Sequence, residues 1–429
     1  MLFIIKPTAA CNGACIYCSA YKHHPDELKK MTPEEVTTLL LKIEEYIVEE
    51  KPRRAAILWH GGEPMVMGMD FYEKVLEVCA GIEERTGVKL QHMMQSNITL
   101  VTPEFAKLLK RLLSKGRIGS SYDPIKNIRM LKGEGSYEEE WKRGKEILEA
   151  EGVGVGVVYV VHRESLGRAE EIYQGLLDLG LNGGVRFNPL YSAGLARDNR
   201  DLHITPREWG QFLLDLWEVW NKEGRSLRVD PLKSWHNMAQ GGSVRITCAF
   251  SGRCTYNFTG IKADGTVYSC GRSMDEGLMP FGNLFEKPLV EILRGEKRRV
   301  YLNRKEWLLQ GECAGCRWWS FCHGGCPNDA YLESGDMLRK TYWCEGRKLF
   351  LDEVFGKQGP LAPAPEPGDS GMLFDEPEPM QEPGAKTQAR PRRRRRHRRS
   401  AGQETRSAGQ VAEGKPASGK SPKKDTEKS

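Results

Sequence analysis

Along residues 1 to about 235, apolar positions recur in two rhythms. Short apolar runs at 2–5, 55–59, 90–94, 117–120, 153–161 and 185–188 read as strands. Between them, spacings of three and four residues predict helices over 33–50, 69–86, 103–115, 137–151, 166–179 and 206–223. Strand followed by helix, six times over, is the pattern of an α/β fold whose parallel sheet is covered by helices. Thr32, Thr102 and Thr205 each stand before a proline, and Glu35 and Glu208 follow three residues after two of them. Those are helix starts, with the threonine as cap and the glutamate closing a capping box.

The rhythm changes near residue 236. From there to 356, helical periodicity gives way to cysteines, glycines and short segments. Two of these, 257–261 and 267–268, flank the turn Ala263, Asp264, Gly265 and predict a hairpin. From 357 to 429 Phe374 is the single aromatic residue, and Pro, Gly, Ser, Ala and charge dominate. Such a stretch cannot bury enough apolar surface to offset the entropy of ordering, so it is expected to be disordered. The expected organisation is a domain at 1–235, a cysteine-rich domain at 236–356 and a basic tail at 357–429.

Charge sharpens this division. The 429 residues carry a formal charge of +6, but fifteen Lys and Arg against ten Asp and Glu lie from Pro360 onward. The rest of the chain is near neutral, which argues against a nucleic-acid-binding face on the folded body. Within the tail, residues 392–396 are all arginine and are followed by His397, Arg398 and Arg399. They could grip RNA, an anionic membrane surface or an acidic partner, or simply be solvated. No apolar run approaches the length of a membrane span.

The 12 cysteines are clustered. Cys79 falls on the apolar side of a predicted helix and reads as a core residue. The others form an N-terminal triplet, Cys11, Cys15 and Cys18, and a C-terminal set, Cys248, Cys254, Cys270, Cys313, Cys316, Cys322, Cys326 and Cys344. No secretory leader pattern is visible, so a reducing, cytoplasmic and oxygen-poor setting is expected rather than disulfides. Thiolate-rich sets suit zinc or iron–sulfur clusters. Zinc normally takes four protein ligands, or three and a water, and eight cysteines could make two zinc sites.

The Cys-x3-Cys-x2-Cys triplet, with Tyr17 before its last cysteine and Gly61-Gly62-Glu63-Pro64 behind the second strand, resembles the signature of radical S-adenosylmethionine (SAM) enzymes. The resemblance implies a partial (β/α)6 barrel and a 4Fe-4S cluster on Cys11, Cys15 and Cys18. The iron left open would chelate SAM, and reduction would release a 5′-deoxyadenosyl radical. Gly61, Gly62 and Glu63 would meet the amino group of SAM, and Tyr17 would lie over the adenine. Ser96 and Asn97 match a polar strand end near SAM. Ser121 and Asp123 match a segment on the ribose and carboxylate side, although Pro124 replaces the usual glycine. Arg129 would pair with the SAM carboxylate, and Asn188 would frame adenine or substrate.

The C-terminal cysteines resemble the SPASM auxiliary domain of the anaerobic sulfatase-maturating enzymes and peptide maturases. By that resemblance Cys248, Cys254, Cys270 and Cys326 hold one 4Fe-4S cluster and Cys313, Cys316, Cys322 and Cys344 another, three clusters in all. Fully ligated clusters suit electron transfer and favour a net two-electron oxidation. Sulfatase-maturating enzymes carry an aspartate base directly after the cysteine matching Cys270. Here Gly271 and Arg272 follow, neither of which readily accepts a proton. The base is left unassigned, with His60, His162, His236, Tyr159 and Tyr268 as alternatives. Arg272 is a catalytic candidate for holding an acidic substrate group.

The function expected from this is oxidative maturation of a peptide or protein side chain, for example in a ribosomally made peptide, forming a crosslink, thioether or dehydrogenated residue. Sulfatase maturation, from Cys or Ser to formylglycine, and oxidation of a small metabolite are the alternatives. A flavodoxin or ferredoxin would supply electrons. If the clusters were only structural, no reductive SAM cleavage would occur.

Overall fold

The structure is a computed structural model that describes residues 1–20, 28–125, 128–241 and 254–356. Cys248 and the expected disordered tail lie outside the described residues. In chain order the first part runs β1 (Leu2–Lys6), α1 (Pro33–Glu50), β2 (Ala55–Trp59), α2 (Met69–Thr86), β3 (Leu90–Met94), α3 (Pro103–Leu112), β4 (Arg117–Ser121), α4 (Tyr137–Ala150), β5 (Gly154–Val161), α5 (Ala169–Asp178), β6 (Val185–Pro189) and α6 (Pro206–Lys222). These are the six expected strand and helix units. Two ends differ for local reasons. Helix α3 stops at Leu112, where Leu113 is already extended and Gly116 turns the chain at φ +58°. Helix α5 starts late because a short 3-10 turn at Arg163–Ser165 and Gly167, at φ +73°, precede it.

Capping boxes form at Thr32 with Glu35 and at Thr205 with Glu208, and Thr102 accepts from Phe105 N–H. The three prolines behind them sit in the first helical turn, where the missing N–H costs nothing.

β1, β2 and β3 pair in parallel, as do β4, β5, β6 and the two-residue β7 (Val229–Asp230). A single bridge between Gln95 and Gly119 joins the two sets into one arc. The result is a partial α/β barrel whose helices bury one face against the sheet. Trp59, Trp141, Trp220 and Trp235 are among its fully buried side chains, and Cys79 is buried on α2.

The remainder runs α7 (Leu232–Ala239), α8 (Cys254–Asn257), β8 (Phe258–Lys262), β9 (Thr266–Tyr268), α9 (Gly271–Glu276), β10 (Gly282–Asn283), α10 (Leu289–Arg294), α11 (Glu296–Leu302), α12 (Arg304–Gln310), α13 (Trp319–Cys322), α14 (Pro327–Ser334) and α15 (Cys344–Phe355). The expected hairpin is β8 and β9, with Gly265 at φ +81° in its turn. Strand β8 also pairs in parallel with β1, from Leu2 against Phe258 to Lys6 against Lys262. The hairpin therefore extends the barrel sheet. This region is more helical than its sequence pattern indicates, because helices of four to eight residues are too short to display a period of 3.6. Helix α15 is the long one, and it crosses α6 where Gly346 faces Gly210. A Cβ on Gly346 would lie 1.8 Å from Pro206 O, so the crossing is made backbone to backbone.

Candidate functional site

The cysteine triplet lies in the loop that leaves the C-terminal end of β1. Backbone bonds pin this loop to a segment behind β4: Ala14 N–H donates to Met130 O at 2.8 Å and Lys132 N–H to Asn12 O at 2.7 Å. Its other side meets the turn after β2. Gly62 N–H donates to Thr8 O at 3.1 Å and Glu63 N–H to Ala10 O at 2.9 Å. A Cβ on Gly62 would lie 2.3 Å from Ala9 O, so glycine is needed here for close approach to the cysteine loop itself.

Glu63 is fully buried. It accepts from Met65 N–H at 2.9 Å, from Ser96 Oγ at 2.7 Å and from Asn97 N–H at 2.7 Å. Burial pushes its carboxyl up to about 7, against the pull of those donors. The same carboxylate thus ties the end of β2 to the end of β3. Asn97 Nδ2 donates to Asn12 Oδ1 at 2.8 Å and reaches Cys11 Sγ at 3.9 Å. Gln95 Nε2 donates to Ser120 O at 2.8 Å and Ser121 Oγ at 3.2 Å, bridging β3 to β4.

Tyr17, Asp123 and Arg129 form one buried group. The Tyr17 hydroxyl donates to Asp123 Oδ2, Arg129 Nε donates to the same oxygen at 2.7 Å, and Val160 N–H approaches Oδ1 at 3.3 Å. The Arg129 guanidinium lies 5.2 Å from the Tyr17 ring centre. Burial opposes its charge, but the Asp123 carboxylate holds it well above the ordinary arginine value. Asn188 pairs with Val160 at the end of β6. The loop beyond it was not singled out in the sequence. Leu195 N–H donates to Cys18 O at 3.0 Å and Asn199 Nδ2 to Ile16 O at 2.8 Å, so this loop closes on the triplet. Gly194, at φ +53°, is the one local signal: its Cβ would lie 2.3 Å from Cys18 O.

Of the five alternative bases, Tyr159 and His162 meet at Ser165, and His60, His236 and Tyr268 lie elsewhere. His60 is half-buried near Lys6 and pushed down to about 3 by desolvation and by that lysine. Tyr159 bonds Ser165 Oγ at 2.9 Å, and both ring nitrogens of His162 are buried without a partner. His236 on α7 meets Arg225 Nη1 at 2.6 Å, and the Tyr268 ring on β9 carries Lys262 5.1 Å from its centre.

The thiols fall into three groups. Cys11 is pushed up to about 12 by burial, with Glu63, Cys18 and Cys15 adding to the rise. Burial also takes Cys326 to about 12, with Arg272 opposing and Asp329, Cys270 and Cys254 adding. Cys313 goes to about 11 by burial, with Cys322, Cys344 and Cys316 adding. Cys313, Cys316, Cys322 and Cys344 ring one cavity together with Trp318 and Arg347. Among the described residues no three metal-binding side chains converge on a single-ion site. Thiols grouped in this way lose their protons when metal binds, so the donor sets fit thiolate-bound iron–sulfur clusters.

Arg272 lies at the second group. Its Nη1 donates to Cys326 Sγ at 3.3 Å, its Nη2 pairs with Asp329 Oδ1 at 2.6 Å, and its guanidinium carbon lies 3.5 Å from the Tyr191 ring centre. Gly271 opens α9, and a Cβ there would lie 3.8 Å from Lys6 Cε. Lys6 Nζ donates to Gly271 O at 3.1 Å and pairs with Asp275, one helical turn further along.

Comparison with known proteins bears on the two cysteine-carrying regions. Residues 5–176 match the radical SAM superfamily, and residues 248–317 match the SPASM iron-sulfur cluster-binding domain. A serine-type anaerobic sulfatase-maturating enzyme of Klebsiella pneumoniae is 27% identical over 84% of this chain and 88% of its own. A cysteine-type enzyme of Clostridium perfringens is 24% identical over 82% of this chain and 95% of its own. The solved structure of native anSMEcpe with bound AdoMet and Cp18Cys peptide covers 83% of this chain and 97% of that one. It superposes with a TM-score of 0.70 at 21% identity.

Proposed function

Because this chain is a radical SAM enzyme with a SPASM iron-sulfur domain, we propose that it matures a protein substrate by oxidising a Cys or Ser side chain to formylglycine. The observation that carries this reading is the span of the likeness: the sulfatase-maturating relatives run through both the barrel and the auxiliary region. That favours formylglycine over the broader expectation of crosslinks, thioethers or dehydrogenated residues.

Cys11, Cys15 and Cys18 would hold the cluster that binds SAM, and the two C-terminal thiol groups would hold auxiliary clusters. When bound, these groups supply a hydrogen-atom acceptor for the substrate Cβ and an electron acceptor. The chain's own residues do the rest. Glu63 and Asn97 fix the cysteine loop against the ends of β2 and β3. Tyr17, Asp123 and Arg129 form a second preorganised polar group, with Arg129 the candidate for a SAM carboxylate.

Oxidising CH2–XH to CH=X releases one hydrogen atom, one electron and one proton, where X is sulfur or oxygen; when X is sulfur, water then hydrolyses CH=S to CH=O and hydrogen sulfide leaves. The proton needs an acceptor, which Gly271 cannot be. Positions 271 and 275 share a face of α9, and the Asp275 carboxylate lies on the Lys6 side chain that a Cβ at 271 would face. Asp275 Oδ is therefore the proton acceptor in this reading, with Lys6 orienting it.

The test uses the full-length chain, anaerobically reconstituted, with SAM, reductant and a peptide carrying the modified Cys or Ser of a sulfatase. An aldehyde in place of the Ser hydroxymethyl or Cys thiomethyl group, located by fragmentation, is the expected product. SAM cleavage that leaves both peptides unchanged would remove sulfatase maturation.

A further inference from the structure

Arginines are distributed along the auxiliary thiols, and the substrate oxidation does not itself use them. Arg272 Nη1 donates to Cys326 Sγ at 3.3 Å, and Arg347 Nη1 donates to Cys322 Sγ at 3.5 Å. Asn328 Nδ2 adds a donor to Cys270 Sγ at 3.3 Å. Arg304 is buried between the two groups, where its charge acts on Cys326 and Cys254 and on Cys313 and Cys322. It spends its donors on backbone carbonyls, among them Gly325 O at 2.8 Å, and so contributes charge without a bond to sulfur.

Arg272 differs in what lies on its far side. Its guanidinium covers the Tyr191 ring at 3.5 Å, and Tyr191 belongs to the loop that closes on Cys18. Its Nε is buried without a partner, an N–H that a cluster sulfide would satisfy. Contacts therefore run from Tyr191, on the loop that closes on Cys18, through Arg272 to Cys326.

The geometry points to Arg272 as the positioning residue for electron removal: it raises the reduction potential of the auxiliary cluster that Cys326 helps to hold, and it links that cluster to the loop over the triplet. The inference rests on the reading above, in which an electron leaves the oxidised substrate carbon for an auxiliary cluster. A thiolate-bound cluster gains a negative charge when reduced. A half-buried guanidinium, its charge partly offset by Asp329, and an N–H donor to sulfur favour that form, because cluster potentials follow net charge, hydrogen bonds to sulfur and exposure. Low local dielectric keeps the effect from being screened away. The balance closes within the proposed reaction: the electron passes to the cluster, the proton from the substrate S–H or O–H passes to Asp275, and no further oxidant takes part.

The experiment is a potentiometric titration of the full-length chain, reconstituted with iron and sulfide and followed by electron paramagnetic resonance. It compares wild type with Arg272→Met, Arg272→Lys and Arg347→Met, with iron content measured in each. Arg272→Met is expected to shift one auxiliary midpoint to lower potential, and Arg272→Lys, which keeps the charge but loses the fork, to shift it less. Arg347→Met is expected to move the other midpoint. With peptide present, product formed per 5′-deoxyadenosine should fall about tenfold in Arg272→Met. Unchanged midpoints in both Arg272 variants at full iron content overturn the assignment; if Arg272→Met does not load, Arg272→Lys decides by the same criterion. The midpoints need no substrate, so failure to make formylglycine would remove the proposed function while the titration still decides the role of Arg272.

Discussion

Gly271 leaves the first position of α9 without a carboxylate, and Asp275 brings one to the same Lys6 from the next turn. Asp275→Asn keeps the shape and removes the proton acceptor. General-base losses run to roughly a hundredfold or more, so product formation should fall by about that factor while substrate-free SAM cleavage stays within a few-fold. Peptide mass spectra and 5′-deoxyadenosine measured on the same samples check this, and equal losses in both would assign Asp275 to structure alone. The cysteines and the Gly-Gly-Glu-Pro turn were legible in the sequence because their spacing is local. The contact between Lys6 and Asp275 joins residues 269 positions apart, and the loop around Gly194 carries no chemistry-bearing side chain at its point of contact. No local pattern marks the first, and the second shows in the sequence only as a glycine.

Two packings between elements set how firmly the site is held. Trp59 Nε1 on β2 donates to His92 Nδ1 on β3 at 3.1 Å, which needs the neutral imidazole. Burial, with Lys89 adding, lowers His92 from 6.5 to about 4. A depressed folded value means that this contribution is present above pH 6.5 and is lost as pH falls through about 4. Up to about 3 kcal/mol is at stake. His92→Asn retains an acceptor without taking up a proton. The gap between urea midpoints at about pH 7 and about pH 5 should therefore narrow in the variant. The second packing is the crossing of α6 and α15 at Gly210 and Gly346. Gly346→Val should cost about 2 kcal/mol or more by overpacking and displace Cys344, two residues away, so that iron content falls along with the urea midpoint. An unchanged iron content would separate the crossing from cluster retention.

At the scale of the whole molecule, the barrel and the auxiliary region differ in what holds them. Residues 28–241 carry long helices on a parallel sheet, whereas residues 254–356 are mostly short helices arranged around thiols. Metal binding contributes folding free energy where a preformed core is small. Anaerobic chelation of the reconstituted chain should therefore expose 254–356 to limited proteolysis before 28–241, and cleavage at equal rates would show that the auxiliary region stands without iron. Among the described residues no helix is long and apolar enough to cross a membrane. By itself, the sequence determined the six strand–helix units, the capped helix starts and the hairpin, because each depends on residues close together in the chain. Only the tertiary structure decided that β8 joins β1, that Asn97 and Glu63 lock the cysteine loop, and that Arg272 lies between Tyr191 and Cys326. Those pairings are selected by the packing of distant surfaces, which local periodicity and spacing do not encode.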